Sequence, residues 1–332
     1  MPNIYDVARR AQVSRSTVSN VLNDDPAVQP AIRKAVLEAM EELGYIPNAA
    51  ARSLKNSRSG TIGFVVPDLE NSVLRDVIEG VEEVVCDHHY SLLLCNSRRR
   101  LDLQRANVRR LLERRVEGIV LFTLSNSSRE LETLRQTRLP VLIADVTGTS
   151  LNEPKMSINL QAGIQSGIEY LSRLGHERIA FIAQRAQPHS QRAEIYRQAM
   201  LGLGIPYDPS LVVFAGSNAE CREGVSALLD RADRPTALFV SAGIFAPHAL
   251  TRIYEAGMEI PSDLSFITVG ETPWAAAHRP PLTTISHDAV GWGRMAGEYI
   301  FARIAGNDGS AVVHEVQSEL IIRASCAPWR GR

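Results

Sequence analysis

Apolar residues follow helical spacing as far as Leu43, and from Thr61 onward they gather into short buried blocks. Ile4, Val7, Ala8 and Ala11 fall on one helical face with Asn3 placed to cap it, and Ser14 can cap a second helix, Arg15 to Leu22. In that second helix Val18, Val21 and Leu22 face inward, which turns Arg15, Ser16, Thr17, Ser19 and Asn20 outward as a polar row. Pro30 opens a third helix whose Ile32, Ala35, Val36, Ala39, Met40 and Leu43 cover the other two, and Gly44 ends it. Beyond residue 60, strand blocks alternate with helical stretches. One series runs through Thr61 to Val66, Tyr90 to Cys95, Gly118 to Phe122 and Val141 to Ala144, with a helix from about Ser72 to His88. A second runs through Arg178 to Ile182, Leu211 to Phe214, Ala237 to Val240 and Leu264 to Ile267. This alternation predicts open parallel sheets covered on both faces, and two series predict two lobes.

The polar row has chemistry suited to a duplex. Arginine offers a bidentate fork to guanine and asparagine can pair with adenine, so Arg15, Ser16 and Asn20 are the expected base readers. Hydroxyls and amides at helix starts hold phosphates, which assigns Tyr5, Ser14, Thr17, Ser19 and Asn23 to positioning. After the third helix comes Pro47 to Lys55, alanine-rich with Asn48 as a cap, yet at about eight residues too short to be stable alone. Arg52, Lys55 and Arg58 lie in a stretch without a carboxylate, and Leu54 has no core of its own to enter. An apolar side chain so placed can wedge between base steps in the minor groove; the plainer reading is a linker.

Tyr5-Asp6-Val7-Ala8, Val13 to Ser19 and Leu43-Gly44-Tyr45-Ile46-Pro47-Asn48-Ala49-Ala50-Ala51-Arg52-Ser53-Leu54 resemble the lactose-repressor (LacI/GalR) family of bacterial transcription regulators, and the likeness continues to the C-terminus. The resemblance implies an N-terminal all-α helix-turn-helix domain, residues 1–46, a hinge helix and linker, 47–59, and an effector-binding and dimerisation domain, 60–332. The last would be a two-lobed α/β fold similar to periplasmic sugar-binding proteins, with one lobe near 61–159 and 289–318 and the other near 160–288 and 319–330. Asn48, Ala51, Leu54 and Lys55 become hinge contacts to DNA, Leu54 being the wedge. Gln12 stands where the family usually has glycine; a left-handed glutamine there costs about 1–2 kcal/mol.

Composition narrows the partners. The formal net charge of the 332 residues is −1, so affinity for DNA has to be local; residues 1–60 hold eight Lys/Arg against six Asp/Glu. Cys86, Cys95, Cys221 and Cys326 show no metal or redox spacing, and adjacent His88 and His89 diverge on a helix end and read as surface residues. No apolar run approaches about 18 residues, and the N-terminus has no apolar signal core, so a cytoplasmic, nucleoid-associated protein is expected. Neither GxGxxG after the first body strand, nor a P-loop, nor GxSxG occurs; no enzyme and no cofactor are expected.

Ligands of open α/β sheets bind beyond the carboxyl ends of the strands, here between facing lobes. By register, Ala242-Gly243 replaces the family's usual Asn-Asp, Gly270-Glu271 replaces Asp-Asp, and Ala219 falls where an aromatic often stacks. The expected effector contacts are Ser72, Val73, Arg98, Asp145, Asn159, Arg192, Glu271 and Trp274, with Arg192 suited to a carboxylate, phosphate or hydroxyl pair. The function expected is a repressor that binds operator DNA as a homodimer and answers to a sugar, sugar acid or phosphorylated metabolite. The absence of a C-terminal heptad repeat favours a dimer over a tetramer. The alternatives are a regulator of this fold controlled by a protein partner, or a solute-binding protein. If the wedge reading of the hinge is right, Leu54→Ala weakens binding to an operator relative to scrambled DNA while the remainder of the chain stays folded; unchanged operator affinity in a binding titration removes the wedge.

Overall fold

In a computed structural model the chain divides into two compact units, Met1–Ser59 and Gly60–Arg332. The structure describes residues 2–23, 25–46, 58–124, 129–144, 155–185, 190–307, 314–329 and 331. The hinge candidates Asn48, Ala51, Leu54 and Lys55, and Asp145 in the larger unit, lie outside the described residues.

The first unit has α1 (Ile4–Arg10), α2 (Arg15–Leu22) and α3 (Pro30–Leu43). Asn3 and Asp6 cap α1 reciprocally: the Asn3 side chain accepts from the Tyr5 and Asp6 amides, and Asp6 Oδ2 accepts from the Asn3 amide at 3.0 Å. The Thr17 amide donates to Ser14 Oγ at 3.1 Å, which starts α2, and Gly44 at φ 58° stops α3. Gln12, in the turn between α1 and α2, does adopt φ 53°. Val7, Ala8, Val18, Val21, Val36 and Ala39 form the core where the three helices meet.

Among the described residues the second unit is built on eleven strands: β1 (Thr61–Val66), β2 (Ser91–Asn96), β3 (Gly118–Phe122), β4 (Val141–Ala144), β5 (Lys155–Asn159), β6 (Ile179–Gln184), β7 (Val212–Ala215), β8 (Ala237–Val240), β9 (Ser265–Val269), β10 (Thr283–His287) and β11 (His314–Ile321). They lie in the order β2-β1-β3-β4-β5-β11-β10-β9-β8-β6-β7. Within each half the pairing is parallel, as in β1 with β2 and β3, or β8 with β6 and β9. The halves meet at β11, whose His314 to Gln317 pair in parallel with β5 and whose Ser318 to Ile321 pair antiparallel with β10. The chain therefore passes between halves at 159–161, at 287–289 and within β11.

The helices are α4 (Ser72–Asp87), α5 (Leu101–Glu113), α6 (Arg129–Arg135), α7 (Gln161–Arg173), α8 (Ser190–Gly202), α9 (Asn218–Leu229), α10 (Ala246–Glu255), α11 (Pro273–Ala277) and α12 (Ala289–Ile304). Strands buried on both faces explain their near-continuous apolar runs: Phe64, Ile119, Phe181, Phe239 and Phe266 are all inaccessible. Although α12 follows the second half's β10, it returns to pack on α4 of the first. That approach requires glycine, since a Cβ on Gly80 would lie 2.0 Å from the Val290 carbonyl oxygen and one on Gly293 2.2 Å from that of Val77. Gly80→Ala should therefore destabilise the fold by about 1–3 kcal/mol through overpacking, read as a lowered midpoint in urea unfolding; an unchanged midpoint means the helices can separate freely.

Candidate functional site

Two surfaces carry chemistry. On the first unit, α2 presents Arg15 and Ser16, and its C-cap Asn23, as exposed side chains, while Thr17, Ser19 and Asn20 are half-buried at its flanks. Arg15 is held in advance of any partner. Its Nη1 donates to the Tyr5 hydroxyl at 3.0 Å and its guanidinium lies 5.6 Å from the centre of the Tyr5 ring. Tyr5 is itself 58% exposed, so α1 and α2 together offer one polar ridge. Ser14 Oγ lies 2.6 Å from Ser16 Oγ and 2.8 Å from Thr17 Oγ1, a chain of hydroxyls around the amino end of α2 where backbone dipoles favour an anion.

In the second unit the carboxyl ends of the strands from both halves converge on two adjoining groups of cavity-lining residues. One cavity, of about 220 Å³, is bounded by Glu70 beyond β1 and by Gly243, His248, Gly270, Thr272 and Trp274 of the second half. The other, of about 210 Å³, is bounded by Val73 and Asp76 of α4, Glu271, and Ser286 to Val290. Both are below the range of about 300–1,000 Å³ common for ligand pockets, which points to a small occupant.

The glycines that displaced the family's polar residues have local causes. A Cβ on Gly243 would lie 2.3 Å from the Val269 carbonyl oxygen, and Gly270 adopts φ 103°, where side chains are strained. Of the expected effector contacts, Trp274 lines the first cavity and Val73 and Glu271 the second. Ser72 is the first residue of α4. Glu271 is already engaged, accepting from Arg323 Nη2 at 2.7 Å and Nη1 at 3.0 Å and from the Thr284 hydroxyl. Asn159 serves a backbone turn, its Oδ1 accepting from the Gln161 amide at 2.9 Å and its carbonyl from Ser318 Oγ at 2.7 Å. Arg98 is exposed at φ 50°, whereas the next residue, Arg99, reaches inward to Asp68 at 2.6 Å.

Arg192 is the outlying group. Its side chain is 8% exposed, Nη1 donates to the Ser241 carbonyl oxygen at the end of β8, and Nε has no hydrogen-bond partner. Burial lowers its pKa to about 10, well below the usual guanidinium value. His287, at the end of β10, was missed because β10 itself was missed; the β-branched run Thr283-Thr284-Ile285 was the signal for that strand. Burial, and then the charge of Arg192, push the His287 pKa down to about 4.

Residues 3–48 match the model of bacterial regulatory proteins of the lacI family, and residues 168–326 match a periplasmic binding protein-like domain. The HTH-type transcriptional repressor PurR of Aliivibrio fischeri (strain MJ11) is 33% identical over 334 residues, covering 98% of each chain. Catabolite control protein A of Priestia megaterium is 30% identical over 297 residues, 88% of this chain and 90% of that one. The chain belongs to the lacI family of bacterial regulatory proteins. It is a sequence-specific DNA-binding repressor of that family, with the two-lobed α/β domain its members carry. Among solved structures it is similar to the complex of the transcriptional regulator CelR with cellobiose, with a TM-score of 0.73 and 25% identity over 98% of this chain and all of that one.

Within this lacI-family member, Arg15→Ala should relax preference for one base pair and weaken specific binding by about 1–3 kcal/mol. Competition titrations with single-base variants of a selected site decide it. A loss equal on every variant sequence makes Arg15 a phosphate contact instead.

Proposed function

We propose that this repressor binds a near-palindromic operator as a homodimer and that a small molecule held between the two lobes sets its affinity for DNA. The observation that carries this reading is the convergence of strand ends from both halves on the cavities lined by Glu70, Trp274, Val73 and His287. Arg15, Ser16 and Asn20 then read bases, and Tyr5, Ser14, Thr17, Ser19 and Asn23 fix register on the phosphates. A dimer supplies two α2 helices, matching two half-sites of one operator. In the hinge, Asn48, Ala51, Leu54 and Lys55 contact the duplex between them. The lobes are 61–159 with 289–318, and 160–288 with 319–330, the three chain crossings lying at their common boundary. For the effector, Ser72, Val73, Asp145, Arg192, Glu271 and Trp274 are the proposed surroundings. The CelR complex with cellobiose supports a small ligand in this fold. No helix among the described residues is long and apolar enough to cross a membrane, which accords with action in the cytoplasm.

A ligand that prefers one lobe arrangement changes DNA affinity by the same factor as DNA changes affinity for the ligand. Selection of binding sites from random duplexes, followed by anisotropy titrations at several salt concentrations, tests the DNA half of the proposal. The expected outcome is a two-fold symmetric site, two chains per duplex, and affinity that falls steeply with salt. One chain per duplex overturns the dimer. Operator affinity that no cleft ligand alters overturns control by a small molecule and favours a protein partner.

A further inference from the structure

Charge is unevenly spread along the chain. Residues 98–115 hold eight arginines and no lysine against one aspartate and one glutamate, in a chain whose net charge is −1, so the remainder is distinctly acidic. Part of that run is used within the fold: Arg99 pairs with Asp68 at 2.6 Å, and Arg100 pairs with Asp102. Arg109, Arg110, Arg114 and Arg115 are exposed, and their side chains form no ion pair among the described residues. Arg110 donates to an amide oxygen instead, Asn107 Oδ1 at 3.2 Å. By contrast the exposed Arg75, Arg173, Arg185 and Arg294 of the same unit each meet a carboxylate.

Topology places these arginines at one edge of the sheet. α5 runs from the carboxyl end of β2 back to the amino end of β3, so its last turn and Arg114-Arg115 lie where β1 and β3 begin. Glu117 marks the spot: its amide donates to the Thr61 carbonyl oxygen at 2.9 Å, and its Oε1 accepts from the Gly60 amide at 2.7 Å. Arg138 is exposed at the same edge, just before Pro140, whose carbonyl oxygen accepts from the Ile119 amide at 2.9 Å. Gly60 is the first residue of the second unit, so residues 47–59, which tether the helix-turn-helix unit, enter here. Helix stability does not account for the cluster. Like charges spaced as Arg110 and Arg114 are weaken a helix, and Arg115 adopts φ 54°, a conformation that glycine takes without strain.

We propose that Arg109, Arg110, Arg114, Arg115 and Arg138 form a second, sequence-independent DNA contact, which takes the phosphates of the duplex flanking the operator. Guanidinium forks suit phosphate and carboxylate alike, so side-chain type by itself allows a nucleic acid or an acidic protein. Two features favour DNA. The turn that carries the arginines exposes no apolar anchor, since Leu111 is buried and Leu112 packs on the core beneath α5. Protein interfaces have an apolar centre, whereas DNA-binding surfaces are polar and strongly positive. The tether is the second feature: a duplex held by the first unit is linked to the edge where that unit attaches, so its outer phosphates meet the arginines at high effective concentration. Neutralising phosphates releases counterions, a gain that requires no base to be read. The opposing carboxylates are few. Glu113 is the one in the last turn of α5, and Glu117 is engaged by the Gly60 amide and the Tyr90 hydroxyl.

The test uses the full chain and a site selected from random duplexes, carried on a short duplex that ends at the operator and on one extended by about two helical turns at each end. Anisotropy titrations over a range of salt concentrations read affinity and its salt dependence together. Expected is binding to the extended duplex about tenfold tighter at low salt, whatever the flanking sequence, with a log–log salt slope steeper by roughly 0.9 for each added phosphate contact. The triple variant Arg109→Gln, Arg110→Gln, Arg114→Gln should lose the flank effect and the added slope while binding the short duplex as before. Lysine at the same three positions should restore most of the effect, because a phosphate contact needs the charge more than the fork. Arg115→Gly removes one charge where glycine fits the backbone, so the fold is kept and the slope on the extended duplex falls by about one. Thermal unfolding checks that each variant remains folded. Equal affinity of the unaltered protein for both duplexes overturns the proposal and leaves an acidic protein as the partner of this face. A flank effect that survives the glutamine variant, or that depends on the flanking bases, also overturns it, since the added contacts then come from the first unit. The same titrations count chains per duplex, so failure of the dimer is distinguishable from failure of the flank contact.

Discussion

One strand, His314–Ile321, hydrogen-bonds to both halves of the larger unit, and the relation between the halves is therefore constrained at a single place. Its first part extends the parallel sheet of β5, and its second part reverses the sense of pairing against β10. The other two crossings of the chain are packed against it. Ser318 Oγ donates to the Asn159 carbonyl oxygen and accepts from the Gly163 amide at 3.1 Å, while a Cβ on Gly163 would lie 2.3 Å from Ile285 Cγ2. Three strands of chain held this closely can bend together, but sliding one past another would break ladder bonds in two sheets. Such a joint favours a small set of arrangements over a continuum, which is what a ligand-biased equilibrium needs.

Glycine sets the neighbouring constraint. α12 leaves the crossing at Asp288 and lies against α4 because Gly80 and Gly293 allow backbone-to-backbone approach. The same helix start borders the cavity that His287 and Asp288 line. A ligand in that cavity would thus act at a crossing and at the amino end of the helix that returns to the first half. No long relay is then required between ligand and joint, since the cavity wall is part of the joint.

Much of this was legible in the sequence, and the limits have physical reasons. Strands such as Thr61–Val66 and Gly118–Phe122 stand out because burial on both faces demands unbroken apolar runs. The caps at Asn3, Ser14 and Gly44 were readable because each answers a local backbone need. β5, β10 and the first part of β11 are mixed in polarity, since strands beside the crossing between lobes meet polar neighbours such as Ser318 and Glu271, and pattern alone does not single them out. Missing β10 hid His287. Glycine substitutions at 243 and 270 were visible, but only the structure relates them to the Val269 carbonyl and to a φ of 103°. Asn159 illustrates the reverse limit, because the pattern marks a polar residue at a strand end but not the turn-forming bond that its side chain makes.

Two arginines, Arg192 on α8 and Arg323 just past β11, show how differently one fold can treat the same side chain. Arg323 is satisfied by the protein: Glu271 accepts from both of its terminal nitrogens, and the Leu282 carbonyl oxygen accepts from Nη1 at 2.9 Å. Its charge is matched without a ligand, so it steadies the segment joining β11 to the tail. Arg192 is more deeply buried and has far less to hold it. Replacing it by a hydrophobic residue of similar volume would remove a desolvation cost of several kcal/mol. A fold that needed only stability would have little reason to keep that charge. Places where a chain forgoes an available gain in stability are where function is expected to reside, and the contrast between these arginines puts that place at the end of β8, where Arg192 meets the Ser241 carbonyl oxygen.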